Sequence, residues 1–293
     1  MRKLMASLLV LCLLFFGGAA FAEEEGSTVV PVAPSVTELE PLIDGNLFGT
    51  DLSEATWKEA DVTIETSYAS KYKWYGRSLF GSTPVWSARS VIGLPKGLTP
   101  FGGGLYADIT GYFPAGSGAE KETEMDYSLF WHATANEGKR TQLEIFVDYT
   151  YYDLIKSNRH CDGQEIGTTV FMPNVIDIAD GVILIGPKYR SAILWDQNRE
   201  EMERYNGNVQ VGGLVCQINA IDGLPLIANA DVTYLDVGDV EAGFSHSTFG
   251  LETKIQITKD SYISPFVNYQ MRIDDTLEDE DGFWGGVTMA YTF

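Results

Sequence analysis

The residues in this chain that could do chemistry are charged side chains set an even number of positions apart. Glu65, Lys71 and Lys73 share one parity, as do Glu124 with Asp126, Glu144 with Asp148, Lys188 with Arg190, and Glu252 with Lys254. Asp61, Arg89, Asp108, Asp231 and Arg272 stand singly on the same kind of polar face. A spacing of two puts side chains on one side of an extended strand. The two signs nearly balance. Charges of both signs in a confined space can pair and brace a closed interior, since an unpaired buried charge is costly. They can instead form charged rings along a narrow water-filled path and set its ion preference. The sequence leaves both open.

Other chemistry has less behind it. Ser128 and His132 share a face with Asp126 beside them, but same-face residues four apart on a strand are over ~13 Å from each other. Direct proton transfer needs hydrogen-bond contact. His246 and Ser247 are adjacent and point to opposite faces. No nucleophile motif is present, and no enzymatic activity is expected. Asp274, Asp275, Asp279, Glu280 and Asp281 form an acidic loop whose oxygens suit Ca²⁺ or Mg²⁺, without the spacing of a calcium loop. A solvated acidic loop is the simpler reading. Cys161 and Cys216, with His132, His160 and His246, lack metal-ligand spacing. An outer loop for Cys161 and the inner rim for Cys216 would keep them too far apart to bridge. No cofactor is expected.

The elements positioning these groups follow from a period of two after residue 60. Val62, Ile64, Thr66, Tyr68, Tyr72 and Trp74 oppose Thr63, Glu65, Ser67, Lys71 and Lys73. Met125, Tyr127, Leu129 and Trp131 oppose Glu124, Asp126, Ser128 and His132. Strands are expected near 61–75, 84–94, 101–113, 123–134, 141–152, 166–178, 182–194, 207–220, 226–236, 246–258, 262–273 and 283–293. Each is about long enough to cross a bilayer when tilted. The expected fold is all-β: a transmembrane antiparallel up-and-down barrel of about twelve strands, with short periplasmic turns and longer extracellular loops such as 153–165. Trp74, Tyr75, Tyr112, Phe113, Tyr151, Tyr152, Trp195, Phe283 and Trp284 would form an aromatic girdle at the outer interface. The final alternation, Val287, Met289, Tyr291 and Phe293, resembles the signal read by the barrel-assembly machinery.

The first residues suggest export. Arg2 and Lys3 precede the apolar run Leu4 to Phe16, and Ala20-Phe21-Ala22 ends in a cleavage-type signal. The expected division is a cleaved signal peptide at 1–22, an acidic Pro-containing periplasmic extension at 23–60, and the barrel at 61–293, located in a bacterial outer membrane. A net charge of −21 argues against nucleic acid as a partner. Outer-membrane lipid and lipopolysaccharide are the expected surroundings. Oligomeric state is left open.

Ser70, Lys71, Tyr72, Trp74, Gly76 and Pro84 together resemble the opening hairpin of the TorF-type family of outer-membrane porins. Tyr75 stands where that family usually has Arg, with Arg77 close by. The runs Thr123–Tyr127 and Tyr149–Asp153 also resemble its acidic and aromatic strands. The resemblance implies a porin-like role, with passive passage of ions or small solutes. The alternatives are a non-conducting scaffold barrel and, behind it, a lipid-modifying enzyme.

Overall fold

A computed structural model describes residues 62–75, 77–78, 80–94, 103–115, 123–156, 159–179, 181–196, 206–221, 224–238, 242–273 and 281–293. The expected signal peptide and the 23–60 extension lie outside the described residues. So do Asp61, Asp274, Asp275, Asp279 and Glu280.

Twelve strands carry the architecture: β1 (Val62–Ala69), β2 (Val85–Gly93), β3 (Gly104–Pro114), β4 (Thr123–Ala135), β5 (Leu143–Lys156), β6 (Arg159–Phe171), β7 (Ile183–Asp196), β8 (Gly207–Ile218), β9 (Leu226–Val237), β10 (Gly243–Thr253), β11 (Ser261–Arg272) and β12 (Gly282–Thr292). Each pairs antiparallel with its sequence neighbours, from Glu65 opposite Arg89 to Asn268 opposite Trp284. β12 then returns to β1, with Thr63 opposite Thr292 and Ala69 opposite Gly286. That last ladder closes the sheet and removes both edges. No helix among the described residues is long and apolar enough to cross a membrane.

The two faces divide as the period of two requires. Ile64, Trp86, Ile109, Leu129, Tyr189 and Ile193 are large apolar side chains left exposed on the outside. Val287, Met289, Tyr291 and Phe293 join them on and just beyond β12. Their inward neighbours Glu65, Arg89, Asp108, Glu144, Lys188 and Arg190 are buried. A soluble protein would hide the first set and expose the second. The reversal is the signature of a wall whose solvent is hydrocarbon.

Three expectations are corrected. The sixth strand is Arg159–Phe171, not 166–178, and only residues 157–158 separate it from β5. Within the expected outer loop 153–165, residues 153–156 and 159–165, with Cys161 among them, are therefore strand. Residues Ile176–Ile178 form a separate short strand against the start of β7. Second, the first strand ends at Ala69, and Lys73–Trp74 pairs with Arg77–Ser78 in a small hairpin of its own. Tyr72 and Trp74, expected to face outward, are buried with Lys73 and Tyr75. Third, the girdle loses Trp74, Tyr75, Tyr152 and Trp284, all buried, and Tyr112, which stacks on Tyr72. Phe113, Tyr151, Trp195 and Phe283 remain on the outward parity, with Phe113 and Phe283 openly exposed.

Leu129 is 46% exposed near the middle of β4. Leu129→Lys should destabilise the folded barrel by about 2–4 kcal/mol. Urea unfolding in lipid vesicles measures this, and an unchanged midpoint would remove the lipid contact inferred for that face.

Candidate functional site

The inside of the barrel holds nearly all the chemistry. Its middle is a band of buried ion pairs. Glu65 and Arg89 are direct cross-strand partners, and Arg89 Nη1 donates to Glu65 Oε2 at 3.4 Å. Arg89 Nε also donates to Asp108 Oδ2 at 2.7 Å, Thr110 Oγ1 donates to Asp108 Oδ1, and the Tyr262 hydroxyl donates to Glu65 Oε1 at 2.8 Å. This triad crosses β1, β2 and β3 and is tied to β11.

A second network sits on β5, β6 and β7. Arg190 grips Asp148 with both terminal nitrogens, at 2.7 and 2.8 Å. Its Nη2 also meets Glu165 Oε1 at 2.5 Å, and Nη1 donates to Thr169. Glu165 is fully buried (0% exposed) and takes two more donors: Tyr75 at 2.7 Å and Tyr152 at 2.8 Å. Every one of these donors points at the same buried carboxylate, and its lone pairs are satisfied without water. Gly167 makes the arrangement possible, since a Cβ there would stand 2.3 Å from Arg190 Nη2. Gly213 does the same for the third pair, Lys188 with Asp231 at 3.3 Å, because a Cβ would fall 1.9 Å from Asp231 Oδ1. A glycine inside a strand often marks such close approach.

The charged band lies between two apolar clusters. At the end that carries β1's start and β12's finish, Val91, Tyr106, Phe130, Phe146, Phe171, Val215 and Ile227 pack together. His132 lies against Phe146 there, ring centroids 4.1 Å apart, with Nε2 3.7 Å from Glu144. At the opposite end the hairpin's Trp74 and Tyr75 pack with Tyr152, Leu194, Val209, Val211, Leu235 and Val237.

The structure brings Glu65, Arg89 and Asp108 together, likewise Asp148 with Arg190, and Lys188 with Asp231. Glu124 is buried and accepts from Tyr72 at 3.1 Å, and Asp126 follows it on the same face. Glu144 accepts from Gln142 at 2.9 Å. Glu252 accepts from Ser264, while Lys254 lies 4.2 Å from the Tyr262 ring centroid. Lys71 is half-buried, its ammonium 3.7 Å from where a Cβ on Gly282 would be. Lys73 rides on the hairpin rather than on the wall. Arg272 is exposed at the mouth, its backbone N donating to Asp281 Oδ1. Asp281 is the one residue of the acidic loop that is described, and no metal-holding group occurs among the described residues.

Sequence reasoning missed Glu165, Tyr75, Tyr152, Tyr262 and Gln142. For Glu165 a signal existed: Glu165, Gly167, Thr169 and Phe171 alternate with Ile166, Thr168 and Val170. Ser128 bonds to Thr150 across the strand pair, away from His132. Ser245 Oγ lies 2.8 Å from His246 Nδ1 at an irregularity in the β9–β10 pairing, and the same hydroxyl reaches the Thr233 carbonyl.

No protein-family model matches the sequence, and no curated protein matches it. Solved structures do match. An outer membrane channel from Pseudomonas putida F1 is similar with a TM-score of 0.50 and 10% identity, over 83% of this chain and 99% of that one. The translocator domain of the autotransporter NalP from Neisseria meningitidis gives 0.43 and 14%, over 84% and 91%. The KdgM porin gives 0.44 and 10%, over 79% and 99%. The likeness is one of fold: an outer-membrane-type β-barrel.

Arg190→Ala would leave Asp148 and Glu165 without their shared cation. The expected cost is about 3–5 kcal/mol, read from chemical unfolding of detergent-folded protein. A loss below about 1 kcal/mol would mean that water already shares these carboxylates.

Proposed function

We propose that this chain is a porin-like outer-membrane channel of narrow bore, giving passive passage to ions or small solutes. The observation that carries the reading is a closed wall that is apolar outside and lined with acidic and basic side chains inside. Hydrocarbon demands the first, and only a path for polar matter gives the second a use beyond bracing. The resemblance of the Ser70–Pro84 stretch to the TorF-type porins supports the same role.

The charge left over inside suggests a preference. Glu65, Asp108, Glu124, Asp126, Glu144, Asp148, Glu165, Asp231 and Glu252 make nine acids on the inward parity. Against them stand seven bases: Arg89, Lys188, Arg190 and Lys254, with Lys71 and Lys73 beyond the end of β1 and Arg272 at the mouth. The excess is acidic, so cations are the favoured passengers.

The second reading, a non-conducting scaffold barrel, has one observation in its favour: both interior ends are packed with apolar side chains. The same experiment decides between them. Purified protein in planar bilayers under a KCl gradient should give discrete conductance steps and a reversal potential of the sign for K⁺ over Cl⁻. Silence from heat-modifiable, folded protein would favour the scaffold. Steps with Cl⁻ preference would leave the channel and remove the charge argument. Residence in the outer membrane would be read by fractionating cells.

A further inference from the structure

The hairpin of Lys73–Trp74 with Arg77–Ser78 does not belong to the barrel's sheet, and Tyr72, Lys73, Trp74 and Tyr75 are buried inside the barrel. Its two-residue ladder pairs Lys73 with Ser78 and Trp74 with Arg77, and it forms a separate sheet from the twelve-strand wall. Side chains are therefore what seat it. They reach most of the way around. Tyr72 donates to Glu124 on β4 and stacks on Tyr112 of β3, with ring centroids 4.4 Å apart. Trp74 meets Tyr152 of β5 edge-on at 5.8 Å. The Tyr75 hydroxyl donates to Glu165 on β6 and accepts from Arg190 Nε on β7 at 3.5 Å. Lys73 is carried inside, within electrostatic reach of His246 on β10.

We propose that this hairpin is a removable plug, latched by the Tyr72 and Tyr75 hydroxyls, and that releasing it widens the path through the barrel. The inference rests on the channel reading above.

Two features separate a latch from permanent core. Glu165 keeps Arg190 and Tyr152 as partners when Tyr75 leaves, so of the two latch acceptors only Glu124 gives up its tyrosine donor. Tyr75 has φ 44°, the left-handed backbone that the two-residue connection between the paired Trp74 and Arg77 calls for, so the turn keeps its shape when the hairpin moves. Among the described residues the hairpin also brings no backbone ladder to the wall, so its departure leaves every barrel strand paired.

The test compares full-length wild type with Tyr72→Phe/Tyr75→Phe in planar bilayers under one salt. Both rings stay and only the two hydroxyls go. The proposal expects the conductance step, or the time spent open, to be roughly doubled or more, with larger neutral solutes such as polyethylene glycols entering. A silent wild type with a conducting variant would support plug and channel together. Equal steps and equal solute limits in the two proteins would overturn the plug and leave the channel standing. Silence from both, each folded by the heat-shift gel, would overturn both. Should the double variant fail to fold, Tyr75→Gly is the second probe: it removes the hydroxyl and suits the same φ. The same outcomes apply to it.

Discussion

A backbone amide placed in hydrocarbon must find its partner within the protein, because no water is there to serve. That constraint underlies everything else in this chain. It is met only when the last strand returns to the first. The ladder from Thr63 opposite Thr292 to Ala69 opposite Gly286 does this, and Phe293 N adds a bond to the Val62 carbonyl. Once the wall is closed, each strand has one face toward lipid and one toward the interior, and the sequence can spend the two faces on different chemistry.

The interior is where that freedom is used. Twelve strands enclose more room than an eight-strand barrel, whose side chains fill it, and less than an open sixteen-strand porin. Here the room is taken by large aromatic side chains at both ends and by ion pairs between them. Arg89 and Arg190 are the organising cations, each shared by two carboxylates. Glycines 167 and 213 are the matching vacancies, and they let a guanidinium and a carboxylate lie against the neighbouring strand. A charged band held this tightly fixes the geometry of the interior.

Much of this was legible in the sequence because period-two alternation reports the face directly. Glu65, Arg89 and Asp108 could be assigned inward from parity alone, and Leu129 and Tyr189 outward. Two regions misled for physical reasons. The stretch from Arg159 to Glu165 is polar on both parities, with no apolar face to mark it as strand, so it read as loop. The misplacement hid Glu165, the most heavily hydrogen-bonded carboxylate inside. The alternation from Val62 also runs on through Tyr72 and Trp74 after the strand has ended at Ala69. A hairpin buried inside the barrel needs apolar side chains as much as a lipid face does, and parity cannot tell the two environments apart. The girdle assignment of Trp74, Tyr75, Tyr152 and Trp284 failed for that reason, since an aromatic near a strand end suits an interface or a filled mouth equally well. The partner of each charge was not legible either, because pairing depends on register, which no single strand records.

The central claim is the inversion of faces around the wall, and spin-label accessibility along β4 tests it most directly. Single nitroxides at residues 126 to 131 of the membrane-reconstituted protein would be probed with oxygen, which concentrates in lipid, and with a polar nickel complex. Oxygen collisions should peak at Tyr127, Leu129 and Trp131 and fall at Asp126, Ser128 and Phe130, with a period of two. A profile without that period, or one in which Leu129 is shielded from oxygen while Ser128 is open to it, would contradict the wall described here.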